Sequence, residues 1–241
     1  GLMAAATHGV IRTGHATRAL ALENTPARRR ELADGLAYWA ADYLPLPAER
    51  HPPARAKPSD AIAGVQMIPP ETRRNNLGAF TDALAQLDSF PPFQSTLDAV
   101  DPTGDPRAFI SDLTATFARV FLANARDTYT AIAFVHAVTG PSAIRPLLPY
   151  LREATARIAL AYAWQAAAAM YATFGTRADL SRLDEVKVWD QDGLIERALA
   201  CGDEHAIKFT EVCLREHAFN PDPAFLAAAG QAIRVLSRAE G

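Results

Sequence analysis

The side chains with the widest chemical range in this chain of 241 residues are six histidines and three lysines, the lysines set against twenty-one arginines. Lys208 follows His205 by three residues in "DEHAIKFTEVC", inside a helical pattern. His8 and His15 are seven residues apart, almost two helical turns, so both project from one face together with Ala4, Ile11 and Leu22. His136 follows Ile132 by one turn in the apolar run "AIAFVHAV", and Gly140 and Pro141 shortly after that run predict a helix stop and a new start, which puts His136 in a last turn. His205 shares a stripe with Cys201, Phe209 and Val212, with Lys208 at its edge. A buried imidazole without a partner costs roughly 1–3 kcal/mol. One metal ion would satisfy several at once, and neutral imidazoles suit iron, zinc, copper or nickel. Core histidines, each bonded to its own neighbours, account for the pattern equally well, and spacing alone does not choose. His51, among prolines, and His217, after Glu216 at a helix end, follow no such stripe.

Lys208 has an ordinary explanation too. Glu204 four residues before it and Glu211 three after offer surface ion pairs, each contributing about 0.3–0.5 kcal/mol. Arginine would serve as well in a chain that prefers arginine. Lysine alone supplies an amine that loses its proton when desolvated. That amine can attack a carbonyl, or take up carbon dioxide to become a carbamate, a carboxylate on a long arm beside His205.

The elements that must position these groups read as helices. Residues 4–23 carry helical spacing, and Thr25-Pro26 starts the next helix with a cap residue followed by proline. Seven prolines in 45–70 predict a long loop, suited to a lid, a binding loop or a plain surface connection. Helices are then expected at 71–87, 106–123, 127–139, 142–174 (divided by Pro146 and Pro149), 192–200, 203–218 and 222–238. No stretch alternates with period two and no repeat of fixed period occurs. The expectation is an all-α, single-domain multi-helix bundle over 1–241 with a proline-rich loop.

Composition narrows the function classes. With 49% hydrophobic and 21% charged residues and a net charge of -3, nucleic acid and an acidic membrane surface are not favoured as partners. Two cysteines, Cys201 and Cys213, fit a reducing, cytoplasmic setting. "IALAYAWQAAAAMYATFG", 158–175, has no charge, but eight alanines and Gln165 mark it as a buried bundle helix rather than a membrane span. Phosphate-cradling glycine motifs, G-x-S-x-G, H-E-x-x-H and paired Glu-x-x-His are all absent from the sequence. The start "GLMAAATHGVIRTGH" lacks a secretory pattern and reads as the beginning of a fragment.

"THGVIRTGHATRAL", "FVHAVTGPSAIRPLLPY", "YAWQAAAAMYA" and "DEHAIKFTEVCLRE" together resemble the questin oxidase-like family over Thr7 to Glu216. The resemblance implies a bacterial member of a helical, oxygen-using family whose fungal members open polycyclic aromatic rings in secondary metabolism. It also implies a non-haem iron held by histidines and a carboxylated lysine. By position the ligands would be His8, His136, His205 and Lys208, with His15 a further candidate. The fungal pattern has its second histidine where Arg12 stands here. The family also has an upstream histidine-bearing segment that this chain lacks, so an incomplete site is expected if that segment supplies a ligand. The implied function is oxygen-dependent oxidation or ring cleavage of an anthraquinone-like substrate, with dioxygen and that small aromatic molecule as partners. Lys208 and Arg12 are the catalytic candidates, Arg12 to orient a phenolate or simply to pair with a carboxylate. Trp164, Tyr162, Gln165 and Tyr171 are the candidates for lining an aromatic pocket, or else for plain core packing. Two alternatives stand beside this: a non-catalytic helical protein binding an apolar ligand or partner, and a Baeyer–Villiger-type oxidation using NADPH in place of metal.

Overall fold

The computed structural model describes residues 1–49, 54, 56–73, 80–177, 179–181 and 189–237, and among these there are α-helices and short 3-10 turns but no strand. The helices are α1 (His8–Leu22), α2 (Pro26–Ala41), α3 (Pro58–Ala61), α4 (Phe80–Leu84), α5 (Pro106–Asn124), α6 (Thr128–Ser142), α7 (Glu153–Phe174), α8 (Gln191–Cys201), α9 (Glu204–Phe219) and α10 (Pro223–Leu236). The all-helical bundle expected from the spacing is the architecture that forms.

Short polar side chains set where the helices start. Thr25 accepts from the Arg28 N–H with Pro26 in the first turn. Asp105, Asp190, Asp203 and Asp222 cap α5, α8, α9 and α10 in the same way, and Asp127 and Thr130 form a reciprocal capping box on α6. Each cap contributes about 1 kcal/mol and fixes the register at which its helix begins. Gly202, at φ +72°, turns the chain between α8 and α9 in the left-handed region, so that Asp203 falls at the start of α9.

α6 is the centre. It packs on α1, α5, α7, α9 and α10, and eleven of its fifteen residues are buried. α7 packs on α5 and α6, and Ala163, Ala166–Ala169 and Ala172 are buried along it, small side chains of the kind that let helix axes approach closely. The stretch Thr128–Tyr150 is long and apolar enough to cross a membrane by length and composition, yet its apolar window is 78% buried inside the bundle.

Three local expectations need correction. α6 does not stop at Gly140: it runs through Pro141 to Ser142, because the Ala143 N–H bonds back to the Thr139 and Gly140 carbonyls, beyond the position where Pro141 lacks a donor. His136 is therefore inside the helix rather than in its last turn. The first helix begins at His8, not residue 4, since Ala5, Ala6 and Thr7 have φ of 45°, 59° and 69°. Left-handed backbone at non-glycine residues costs about 1–2 kcal/mol each, and strain of this kind gathers at functional sites. The proline-rich stretch holds a helical turn at α3 and a 3-10 turn at Ile62–Gly64, with Pro58 opening the former, and the Ile68 N–H ties it to the Ala172 carbonyl of α7 at 2.8 Å. His51 and the residues 50–53 and 55 of that loop lie outside the described residues, as do 74–79 of the helix expected at 71–87.

α1 is seated on the core by contact too close for a side chain. A Cβ on Gly14 would stand 2.5 Å from the Ala143 carbonyl oxygen at the end of α6. Gly14→Ala is expected to push α1 outward and destabilise the fold by about 1–3 kcal/mol, the usual cost of overpacking. Urea denaturation checks it, and a change below about 0.5 kcal/mol would mean that the helices separate without cost.

Candidate metal centre

Three helices far apart in sequence bring polar side chains together. His8 opens α1, His136 lies on α6 and Lys208 on α9. The His136 Nε2 is 3.0 Å from the His8 Nε2 and 3.1 Å from the Lys208 Nζ, and the Lys208 Nζ is 3.4 Å from the His8 Nε2. His205, one turn before Lys208, sets its ring edge-on to His136 with centroids 5.6 Å apart.

The tautomer follows from the backbone. The His136 Nδ1 is 2.7 Å from the Ile132 carbonyl oxygen, which can only accept, so Nδ1 carries the proton and Nε2 holds a single lone pair. Two groups, the His8 Nε2 and the Lys208 amine, both lie within hydrogen-bond distance of that lone pair. One lone pair cannot accept fully from both. A metal ion bound here would take one lone pair from each nitrogen. The spacings suit it: with metal–nitrogen bonds of about 2.1 Å, neighbouring ligands stand about 3.0 Å apart in an octahedron and about 3.4 Å in a tetrahedron.

The electrostatics lower the proton affinity of these nitrogens. Burial, reinforced by Lys208 and His8, holds the fully buried His136 well below the usual imidazole range. Burial and then Lys208 lower His8 and His205, while the carboxylate of Glu204 opposes the shift in both. Burial brings the Lys208 amine down to about 8 despite Glu204 and Asp203. The surface ion pair that would explain the lysine does not form: Glu211 instead takes Arg18 at 2.9 Å and Arg215 at 2.6 Å. Among the described residues, no group of three or more His, Cys, Asp or Glu side chains is arranged to hold a metal ion. The close set here is two imidazoles and an amine, with the third imidazole one ring away.

The other candidates are dispersed. His15 is exposed; with Arg18, Arg215 and Lys208 it borders a narrow crevice between α1, α6 and α9. Arg12 is on the outer side of α1, in a two-pronged ion pair with Glu31 of α2 at 2.7 and 3.0 Å. Trp164 is fully buried and donates to the Thr96 carbonyl at 2.8 Å, and Gln165 donates to the Pro47 carbonyl at 3.0 Å. Tyr162 is partly exposed beside Tyr43 and Leu44. Tyr171 borders a cavity of about 530 Å³ with Ile62, Val65, Asp112 and Arg119, which shares no lining residue with the histidine cluster. Tyr162 and Gln165 border one small pocket, apart from Trp164 in the core and from Tyr171 at its cavity. The His217 Nδ1 accepts from the Asp222 N–H at 3.2 Å at the turn into α10.

A buried polar knot that residue spacing did not reveal braces the same helices. Glu216 of α9, fully buried, accepts from Ser142 at the end of α6 at 2.6 Å and pairs with Arg145 at 2.5 Å. Arg145 also donates to Ser111 of α5 at 3.1 Å and covers the Phe219 ring. The signal in sequence was a Glu and an Arg on otherwise apolar faces.

No protein-family profile matches the chain, and neither a curated protein nor a solved structure does.

Proposed function

We propose that this chain is a metal-dependent oxidoreductase that holds a first-row transition metal, iron by the resemblance, on His8, His136 and Lys208 with His205 alongside. The observation that carries the reading is the meeting of three nitrogen donors within 3.0–3.4 Å around a tautomer fixed by Ile132. A donor set of neutral imidazoles and an amine suits iron, zinc, copper or nickel and is poor for magnesium or calcium. Bound there, iron would supply a redox couple and Lewis acidity. The protein's own part is to present nitrogens of lowered proton affinity and to exclude bulk water from His136. An aromatic, anthraquinone-like substrate is supported by the family resemblance alone, since the aromatic side chains of α7 do not face the cluster together.

Elemental analysis and equilibrium titration test it. The chain is expected to take up one Fe(II) or Co(II) per molecule, and His136→Ala to lose that uptake. Affinity should rise about tenfold per pH unit as pH approaches the Lys208 value of about 8 and level off above it, because metal displaces the proton. A wild-type chain that binds no transition metal at pH 8 would favour the other reading, a helical protein whose histidines are core polar groups.

A further inference from the structure

We infer that the cavity between α5, α7 and the segment 59–65 is a binding site for a small amphipathic amine, its ammonium group on Asp112 and its apolar body against Ile62, Val65 and Ala115. The inference needs no metal, since the cavity shares no lining residue with the histidine cluster.

α5 lays one stripe along the cavity, Asp112, Ala115, Thr116 and Arg119, with the charged ends about 10 Å apart at 1.5 Å per residue. The facing wall comes from the proline-rich stretch, and two backbone groups hold it in place. The Ser59 N–H donates to the Asp112 Oδ2 of α5 at 2.8 Å, and the Ile68 N–H to the Ala172 carbonyl of α7 at 2.8 Å. Ile62, Val65, Ala115 and Tyr171 are buried residues on the border. The volume, about 530 Å³, suits a small organic molecule, and such sites combine apolar walls with a few polar groups.

Charge selects the ligand. Arg119 and Asp222 neutralise each other in a two-pronged pair at 2.9 and 3.1 Å. Asp222 is further engaged as the cap of α10, accepting from the Ala224 N–H at 2.9 Å. Asp112 has no such cation. Among the described residues its one hydrogen bond comes from the Ser59 N–H, whereas an ionised carboxylate accepts up to about four. Two carboxylates and one guanidinium line the cavity, which leaves one negative charge, seated on Asp112. Its remaining lone pairs favour an ammonium donor, which would make a charge-assisted hydrogen bond there.

Three probes of similar shape separate charge from apolar fit: phenethylamine, phenethyl alcohol and phenylacetate, titrated calorimetrically into chelator-treated protein at neutral pH. The amine is expected to bind most tightly and the carboxylate least. Asp112→Asn keeps an oxygen for the Ser59 N–H and removes the charge, so it should weaken the amine about 10–100-fold and leave the alcohol unchanged. Ala115→Leu, which fills the cavity, should abolish binding of all three, with thermal melting to show that it folds. If it does not fold, Ala63→Trp, at an exposed position on the cavity border, takes its place. Carboxylate binding as tight as that of the amine overturns the inference. So does amine binding that is unchanged in Asp112→Asn or kept in the filled variant, and so does a wild-type protein that binds none of the probes. The protein is metal-free throughout, so failure here is distinct from failure of the metal reading.

Discussion

Lys208→Met is expected to raise the melting temperature of the metal-free protein and to abolish its binding of transition metals. The sign follows from linkage. Folding depresses the Lys208 pKa from 10.5 to about 8, chiefly by burial. Between those values the unfolded chain holds a proton that the folded chain has lost, so stability rises with pH through that window. Below about pH 8 the folded protein carries the full cost of enclosing the charge. Methionine has similar length and no charge, and it leaves the contact between the His136 Nε2 and the His8 Nε2 in place. The gain should be about 0.5–2 kcal/mol, as for other functional groups held at a cost to stability. For a chain of this size that is about 2–4 °C per kcal/mol, read by thermal denaturation at pH 7 with chelator present. A lower melting temperature would identify the amine as a net stabilising donor, and with unchanged metal uptake it would remove Lys208 from the site.

How far this was legible in the sequence differs from element to element. Helical class came from spacing where a helix has one apolar face, as in α5, α9 and α10, and from start and stop residues elsewhere. Thr25-Pro26 gave a boundary directly, for a cap is a contact between residues three apart. The meeting of His8 with Lys208 spans 200 positions. No periodicity carries that, since it depends on how α1, α6 and α9 cross, and only the family resemblance put the two residues together. The end of α6 differs from the expectation because Gly140-Pro141 is a strong local stop that tertiary packing overrides: Gly140 lies against the Thr7 side chain, where a Cβ would stand 3.1 Å from it. "YAWQAAAAMYA" suggested a ring-lining face, yet its alanines are buried along a helix that packs on α5 and α6, and Trp164 is absorbed into the core.

The scaffold behind the cluster yields the largest expected loss of stability. Glu216→Ala should destabilise the protein by about 3–5 kcal/mol, because it strands a buried guanidinium rather than merely removing a bond. Arg145 has a side-chain exposure of 9%, and Glu216 provides acceptors for both its Nε and its Nη2, at 3.2 and 2.5 Å. Ser142 and Arg215 meet in the same knot at 2.8 Å. Urea denaturation should show a lower midpoint with unchanged slope. Glu216→Leu combined with Arg145→Leu should recover much of the loss, whereas an equal or larger loss in the pair would show that packing, not charge, governs the site. The same variant bears on function. Ser142 is six residues from His136 along α6, and Glu216 is eight from Lys208 along α9, about 9 and 12 Å at 1.5 Å per residue. The knot therefore fixes how the two helices cross, and the crossing fixes the 3.1 Å between the His136 Nε2 and the Lys208 amine. Loss of Glu216 should weaken Co(II) binding as well as folding, while the paired leucine variant, restoring the crossing by packing alone, should regain both.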